Sequence, residues 1–335
     1  MKTVTPRESA AILASHSALT ILVHANPDGD CVGSGAALAH VLLEAGKSVR
    51  LCCSHTLPDR LAFLCGRLPD EALCFGRLFE ESFASDLVVT VDVASPELLG
   101  PLYAPFAGKI GLCIDHHKTN TINAEAILRR DSAAAAGEIV LEVADALGEI
   151  CGKNLLSKEA CDCLYAAISS DSGSFKYGNT TAQTLLYASR LKSLGADTER
   201  LSRLLFDTKS VAQFRLTGML IPKTRFFKEG KVAYCLLTQN EMKQVGAKRE
   251  DVDGITQTFR EVEGVEVSVF ARETEEGAYK MSLRANGGID VAAVCRAFGG
   301  GGHSKAAGCT LAGMTAEEAE KQILDAVFRE GADIL

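Results

Sequence analysis

The sequence has no surplus of positive charge. Its 35 lysines and arginines are outnumbered by 43 aspartates and glutamates, which gives a formal net charge of -8 at pH 7. Proteins that bind along duplex nucleic acid neutralise many phosphates with basic side chains. Aromatic residues make up only 6% of the chain, and no basic stripe is interleaved with them. The composition argues against a duplex-binding surface, but it allows a small phosphorylated ligand in a locally basic cleft.

Long apolar runs and paired-cysteine motifs are also absent. No run reaches the roughly 18 residues that a membrane span needs, and the start of the chain, MKTVTPRESAAILASHS, lacks the apolar core of an export signal. None of the twelve cysteines has C-x-x-C spacing, which argues against a zinc ribbon or a thioredoxin-type site. We interpret most of the thiols as reduced packing residues, and we predict a cytoplasmic protein with no membrane partner.

The first half of the chain alternates apolar strands with helices. Strands are predicted at 18–24, 48–53, 86–92 and 109–115, and helices at 33–46, 132–149, 157–171 and 180–195. Nearly continuous apolar strands between helices are typical of a mostly parallel sheet with helices on both faces. We therefore predict an α/β domain over residues 1–195.

The pattern changes in the second half. Residues 196–215 are helical and polar on one side, and we interpret them as a connector. Strands are then predicted at 231–238, 265–273 and 278–286, where apolar and polar residues alternate. Such alternation is typical of a sheet with one face in water. We predict a smaller α+β domain over residues 216–335.

Acidic residues and histidines cluster where the predicted strands end. The stretch HANPDGDCVGS follows the first apolar strand, VVTVD and GLCIDHH end two others, and ISSDSGSF ends a helix. The residues that carry chemistry at these places are His24, Asp28, Asp30, Asp92, Asp115, His116, His117 and Asp171. Ligands of open α/β sheets bind at the carboxyl ends of the strands, so we expect six of these side chains to converge: His24, Asp28, Asp30, Asp92, His116 and Asp171.

Such a cluster needs a counter-charge. Four carboxylates and two imidazoles cannot share one pocket unpaired, and metal cations are the natural neutraliser. Oxygen-rich sites suit manganese or magnesium better than zinc, and six ligands suggest two ions about 3.5–4 Å apart that share a carboxylate. A single aspartate after a strand is more commonly a turn or helix cap, so the prediction depends on the joint occurrence.

With HANPDGD, VVTVD, IDHH and ISSDSGSF in this order, the sequence resembles the DHH phosphoesterase family, and FGGGGHSKAAG, Phe298 to Gly308, is similar to the DHHA1 signature. The resemblance implies two metal sites that share one aspartate. The first is formed by His24, Asp28 and Asp92, and the second by Asp30, Asp92, His116 and Asp171. It further implies that Asp115 orients an imidazole or a water and that His117 faces the substrate phosphate. From the ligand set we add the hypothesis that His117, or a water, protonates the leaving oxygen.

The DHHA1-like stretch predicts a substrate-binding loop. Glycines let a backbone approach a phosphate or sugar closely, and neighbouring cationic side chains add donors. The predicted substrate-binding residues are Arg284, Gly300, Gly301, Gly302, His303 and Lys305. A flexible turn is the alternative interpretation of a four-glycine run taken alone.

Length and charge match the compact two-domain members of the family, the NrnA-type nano-RNases. The resemblance implies that short oligoribonucleotides and linear dinucleotides such as pApA are hydrolysed to mononucleotides, and that pAp loses its 3′-phosphate. The attacking hydroxide would lie between two divalent ions, Mn²⁺ first, with Mg²⁺ or Co²⁺ as alternatives. The predicted partners are these substrates, without duplex nucleic acid, and a homodimer is allowed. Two alternatives stay open: a dedicated pAp phosphatase and a non-catalytic nucleotide-binding protein.

Overall fold

A computed structural model describes residues 2–76, 85–252 and 254–335. The chain divides into two compact units, Met1–Thr208 and Lys209–Leu335. The division falls inside the segment 196–215 that the sequence suggests as a connector.

The first unit is built on a seven-stranded sheet. Its strands are β1 (Lys2–Thr3), β2 (Ala18–Leu22), β3 (Ser48–Cys53), β4 (Leu73–Phe75), β5 (Leu87–Val91), β6 (Ile110–Asp115) and β7 (Ala124–Arg129). Their order is β1-β7-β6-β5-β2-β3-β4, and every pairing is parallel. The predicted α/β class is confirmed, although β1, β4 and β7 were not predicted because they are short or mixed in polarity.

Helices pack against both faces of this sheet. They are α1 (Pro6–Ala14), α2 (Gly29–Glu44), α3 (Pro96–Leu99), α4 (Tyr103–Phe106), α5 (Ala136–Cys151), α6 (Lys158–Asp171), α7 (Ala182–Ser193) and α8 (Thr198–Ser202). Successive side chains of a strand point to opposite faces. Ile21 of β2 therefore packs in the core formed with α1, α2 and α5, whereas Leu22 packs with Leu99 and Phe106 on the other face.

The helix α2 begins four residues earlier than the sequence pattern predicts. Asp28 is its N-cap, and the side chain of Asp28 accepts a hydrogen bond of 3.0 Å from the backbone N–H of Cys31. Glycine and aspartate are weak helix formers, so the pattern indicates a start only at the later apolar residues. The early start places Asp30 in the first turn of α2.

Glycines let α2 and α6 approach each other closely. A Cβ on Gly33 would lie 2.7 Å from the carbonyl oxygen of Cys163, and one on Gly29 would lie 2.3 Å from Ser170 Oγ. These contacts pair the start of α2 with the end of α6, so the two helices run antiparallel. The packing therefore brings Asp30 and Asp171 to the same end of the helix pair.

The second unit is built on a six-stranded mixed sheet. Its strands are β8 (Arg225–Phe227), β9 (Val232–Leu237), β10 (Val267–Glu273), β11 (Tyr279–Ala285), β12 (Gly301–His303) and β13 (Ala306–Leu311). Its helices are α9 (Val211–Leu220), α10 (Gln239–Val245), α11 (Ile255–Arg260), α12 (Val291–Arg296) and α13 (Ala316–Glu330). The order is β12-β13-β11-β10-β9-β8, and only β9 and β10 pair in parallel.

The expectation that one face of this sheet meets water is wrong for its middle strands. Val267 and Val269 pack on one face with α12 and α13. On the other face, Phe270 packs with Leu216 and Leu220 of α9 and with residues of α10 and α11. The alternation of apolar and polar residues does not predict this second covered face, because a few apolar side chains are enough for helices to pack against it.

The sequence contains no apolar run long enough for a membrane span, and most of its thiols are expected to be packing residues. Among the described residues, no helix is both long and apolar enough to cross a membrane. All twelve cysteines are free thiols, and only Cys151 is exposed. The thiols are therefore mostly packing residues in the cores.

The close contact of α2 and α6 predicts a stability effect. Gly33→Ala should lower the free energy of unfolding of the first unit by about 1–3 kcal/mol, because its methyl group meets backbone atoms that cannot move aside. Gly66→Ala is the matched control, since a Cβ there would lie 3.7 Å from its nearest neighbour. Urea denaturation followed by circular dichroism measures both, and equal stability of the two variants would contradict the packing argument.

Candidate metal centre

The topology of the first sheet brings the predicted residues together. In the sheet, β5 lies between β6 and β2, so their carboxyl ends are neighbours. His24 follows β2, Asp92 follows β5, and His116 follows β6. Asp30 reaches the same place from the start of α2, and Asp171 from the end of α6.

Asp92 lies at the centre of the cluster. Its side chain is 4% exposed, with Oδ2 3.5 Å from His24 Nε2 and Oδ1 3.5 Å from His116 Nε2. Its Oδ1 is buried without a hydrogen-bond partner among the described residues. Its backbone has φ 58°, a left-handed conformation that costs energy for a residue other than glycine. Backbone strain and an unsatisfied oxygen at one residue are typical of a functional site.

His116 presents one ring nitrogen to three carboxylates. Its Nε2 is 3.4 Å from Asp171 Oδ2, 3.7 Å from Asp30 Oδ2 and 3.5 Å from Asp92 Oδ1. On the other side of the ring, Nδ1 is 3.2 Å from the carbonyl oxygen of Ala133. A carbonyl can only accept, so Nδ1 carries the proton and the lone pair of a neutral ring is at Nε2. This is the arrangement of a metal-ligating histidine.

Asp30 is held by the amino end of another helix. Its Oδ2 accepts a hydrogen bond of 2.6 Å from the backbone N–H of Ala136, and its Oδ1 accepts from Gly137 N–H and from Ser34 Oγ. The helix α5 has no side-chain cap of its own. The Asp30 carboxylate, which belongs to α2, therefore caps the amino end of α5, and the dipole of α5 favours the negative charge of Asp30.

His24 forms a second group with Asp28 and Cys31. The distance from His24 Nε2 to Asp28 Oδ2 is 3.5 Å, and one ligand atom from each of the three residues lies within 4.8 Å of the others. Asp28 is half exposed, whereas Cys31 is fully buried. The sequence analysis did not single out Cys31 from the twelve thiols, most of which it interprets as packing residues. The available signal was its position three residues after Asp28, at the start of a helix.

Asp115 fixes the orientation of His117. Its Oδ1 is 2.7 Å from His117 Nδ1, and its Oδ2 accepts a hydrogen bond of 2.7 Å from Asn120 Nδ2. The same amide nitrogen also donates to the carbonyl oxygen of Val93, at 2.9 Å. His117 keeps part of its ring exposed to solvent. Sequence reasoning missed Asn120, although it lies only five residues after Asp115.

The electrostatics of the cluster reflect too much negative charge in a buried place. Burial, reinforced by the charge of Asp92, raises the pKa of Asp30 to about 7. Burial and the charge of Asp30 likewise raise the pKa of Asp171. Against the effect of burial, the hydrogen-bond and charge contacts with the aspartates raise the pKa of His116 to about 10. Burial would also raise the pKa of Asp92, but the two imidazoles beside it lower it. The raised pKa values of Asp30 and Asp171 therefore indicate that this part of the cluster is short of positive charge.

These observations fit divalent metal ions. Two ligands about 2.1 Å from one ion, at angles of about 90–110°, lie about 3.0–3.4 Å apart. The imidazole and carboxylate atoms here are 3.4–3.7 Å apart, which is too long for good hydrogen bonds. Two further ligand groups share His116: Asp92 with His116 and His117, and Asp30 with His116 and Asp171. The unsatisfied Asp92 Oδ1 lies among these ligands.

The predicted substrate-binding residues lie in the second unit. Arg284 on β11 is paired with Ala306 on β13, and Ala306 is paired with His303 on β12. Directly paired residues of antiparallel strands point to the same face. Arg284 and His303 are therefore on one face of the sheet, two strands or about 10 Å apart.

Two of the predicted glycines, Gly300 and Gly302, are needed by the fold itself. A Cβ on Gly300 would lie 2.2 Å from the carbonyl oxygen of Gly308, and Gly302 has φ 140° with Ala306 O 2.5 Å from a Cβ. Gly301 faces open space. The ammonium group of Lys305 donates to the backbone carbonyl of Gly287. The loop is thus a tight hairpin.

Comparisons with known proteins agree with the motifs. The DHH family, N-terminal domain, matches residues 18–168, and the DHHA1 domain matches residues 229–330. The bifunctional oligoribonuclease and PAP phosphatase NrnA of Thermus thermophilus is 32% identical to this chain, covering 92% of it and 89% of the relative. The chain belongs to the DHH family. The family predicted from the sequence is confirmed, and this DHH-family protein is a hydrolase of phosphoester bonds.

Further relatives extend the same picture. The NrnA protein of Bacillus subtilis is 26% identical over 90% of this chain and 91% of its own length. An exopolyphosphatase-related protein from Bacteroides fragilis has the same fold, with a TM-score of 0.88 at 24% identity over 97% of this chain and 96% of that one. Exonuclease RecJ bound to manganese has a TM-score of 0.58 at 16% identity, covering 100% and 98%. Enzymes of the DHH family depend on divalent metals, and the cluster around Asp92 supplies candidate ligands.

The cluster predicts that divalent ions stabilise the fold. Mn²⁺ at about 100 times its dissociation constant should add about 2.7 kcal/mol, which raises the melting temperature by about 5–10 °C. In Asp92→Asn this increase should be lost, because the carboxylate oxygens that lie beside both His24 and His116 are reduced to one neutral amide oxygen. Differential scanning calorimetry measures the increase in both proteins. Asp70→Asn, at an exposed position of the same unit, should keep the increase; an undiminished increase in Asp92→Asn would contradict the assignment.

Proposed function

We propose that this chain hydrolyses short oligoribonucleotides and linear dinucleotides such as pApA to mononucleotides, and that it removes the 3′-phosphate of pAp. The observation that carries the proposal is the cluster centred on Asp92, which has one oxygen beside His24 and the other beside His116. The relatives named bifunctional oligoribonuclease and PAP phosphatase, which match over most of their length, support the substrate class.

In this proposal the cluster would hold two divalent ions, and Asp92 would be a ligand common to both. His24, Asp28 and Asp92 would hold one ion, and Asp30, Asp92, His116 and Asp171 would hold the other. We propose Mn²⁺ first, because oxygen ligands outnumber nitrogen ligands, with Mg²⁺ and Co²⁺ as alternatives. When bound, the ions supply Lewis acidity toward a phosphate and lower the pKa of the attacking water.

His117 is the proposed general acid. Its Nδ1 is fixed by Asp115, so its Nε2 is the nitrogen that can hold a proton near the leaving oxygen of the substrate. Asp115 and Asn120 are positioning residues in this scheme, because Asn120 donates to the carboxylate that holds the imidazole. A correctly placed donor contributes about 10²–10⁴-fold in rate.

Residues 216–335 are the proposed substrate-binding domain, joined by the connector 196–215 to the catalytic domain 1–195. Arg284 and His303, on one face of the sheet, would contact a phosphate or sugar together with the backbone of Gly300, Gly301 and Gly302. Lys305, which donates to the Gly287 carbonyl, would hold this loop in place and reach substrate only by exchanging that contact. The net charge of -8 favours substrates bound in a cleft over duplex nucleic acid. A cytoplasmic location and a homodimer stay predictions.

The proposal predicts a pattern across three substrates. With Mn²⁺, pApA, a five-residue RNA and pAp should all release AMP or mononucleotides, fastest for the shortest, and EDTA should stop all three reactions. Chromatography of the products measures the rates. Activity on pAp alone would replace the proposal by the dedicated phosphatase. Metal-dependent stabilisation without turnover of any substrate would favour the non-catalytic nucleotide-binding protein.

The contact between Asn120 and Asp115 predicts a change in rate without a change in metal binding. Asn120→Ala should lower kcat by about 10–100-fold, leave KM nearly unchanged and shift the pH profile of kcat, because the partner of His117 loses a hydrogen bond. The stabilisation by Mn²⁺ should remain. Asn123→Ala, at an exposed position nearby, is the matched control. If Asn120→Ala lost the stabilisation by Mn²⁺ together with its kcat, Asn120 would act on the metal centre or on the fold instead.

A further inference from the structure

The first unit contains a second place with the properties of a ligand site. A cavity of about 450 Å³ opens between α2, the segment around residues 63–67, the start of α6, and α8. Small-molecule sites commonly occupy about 300–1,000 Å³, so this volume is sufficient for a ligand the size of a mononucleotide. The lining residues that the argument uses are His40, Phe63, Arg67, Lys158, Arg200 and Leu201.

The cavity combines cationic groups with few available anions. Arg67 and Arg200 make no ion pair with any carboxylate of the described residues. Of the two lining carboxylates, Asp162 is already engaged by Lys158 Nζ at 2.8 Å and by the backbone N–H of Asp197 at 2.7 Å. Glu159 is the other lining carboxylate. Two planar guanidinium groups at one opening suit a phosphate, which they can bind through paired hydrogen bonds.

The other part of the cavity suits a flat apolar group. The Arg200 guanidinium lies over the Phe63 ring, 5.8 Å from its centroid, and Leu201 is fully buried beside it. At the inner wall, His40 Nε2 is buried without a hydrogen-bond partner among the described residues. Burial lowers the pKa of His40, which favours the neutral form of the ring. A neutral imidazole nitrogen next to an aromatic surface can pair with a polar edge of a base.

The cavity is separate from the cluster around Asp92, although the same two helices reach both. His40 is ten residues after Asp30 on α2, which is about 15 Å along the helix. Lys158 is thirteen residues before Asp171 on α6, which is about 20 Å. A ligand in the cavity therefore does not contact the candidate metal ligands.

We propose that this cavity is a second ligand site, for a small molecule that joins a phosphate to a planar heterocycle, as a nucleoside monophosphate does. The phosphate binds Arg67 and Arg200, and the heterocycle lies against Phe63 with one polar edge toward His40. The inference rests on the cavity alone and not on the proposed reaction.

The test uses the full-length protein in EDTA with AMP as the probe, so that no metal ion holds the phosphate elsewhere. Equilibrium dialysis should give saturable binding, with adenosine and inorganic phosphate each competing more weakly than AMP. Arg67→Glu and Arg200→Glu should each weaken binding about tenfold or more. Arg7→Glu, on the exposed side of α1 and outside the cavity, changes the net charge equally and should bind as the unaltered protein does. Circular dichroism checks that each variant is folded.

Photolabelling with 8-azido-AMP locates the bound probe. The proposal expects AMP-protected labelling of the peptides that contain Phe63 or Leu201. It is overturned if AMP does not bind, if both cavity variants bind like Arg7→Glu, or if the label is confined to peptides outside the cavity. Competition by inorganic phosphate as strong as that by AMP would also overturn it, because the heterocycle would then contribute nothing.

Discussion

The buried carboxylate of Asp92 is the constraint on which the first unit depends. It lies between two imidazoles from the ends of neighbouring strands, and its Oδ1 has no hydrogen-bond partner in the described part of the chain. Other carboxylates around it are supplied with donors by the protein. Asp30 accepts hydrogen bonds from two backbone N–H groups of α5, and Asp115 accepts one from the side-chain amide of Asn120. The carboxylates of Asp92 and Asp171 have imidazole nitrogens at 3.4–3.5 Å, which is long for a hydrogen bond, and cations bound among them would supply further counter-charge.

The chemistry of this cluster depends on backbone packing some distance away. Gly29 and Gly33 let α2 lie against α6 at backbone contact, and this contact sets how far the Asp30 carboxylate is from that of Asp171. Because cores are densely packed and transmit small shifts, a methyl group between the helices changes the distances at the cluster as well as the stability. Stability and metal binding are therefore coupled through α2 and α6.

The sequence allowed the sheet and the strand-end residues to be predicted, because one rule connects the carboxyl ends of parallel strands to a ligand site. His24, Asp92 and His116 follow from that rule. The role of α5 in holding Asp30 could not be predicted, since residues 136 and 137 meet Asp30 only through tertiary packing. Cys31 and Asn120 were missed for a related reason: a buried thiol and a loop amide acquire significance only through their neighbours. Whether each face of the second sheet is buried depends on which helices pack against it. The alternation of apolar and polar residues along the strands does not specify those helices.

The net charge of -8 hides an uneven distribution along α2 and α6. One end of this helix pair gathers carboxylates and imidazoles, whereas the other end opens on a cavity with two arginines that have no carboxylate partner among the described residues. An acidic protein can bind anions when cationic groups converge locally and water is partly excluded, because Coulomb interactions act over only about 10 Å in salt solution. Composition can therefore argue against a long nucleic-acid interface, yet it cannot exclude small anionic ligands at either end. Only the placement of individual side chains decides that question.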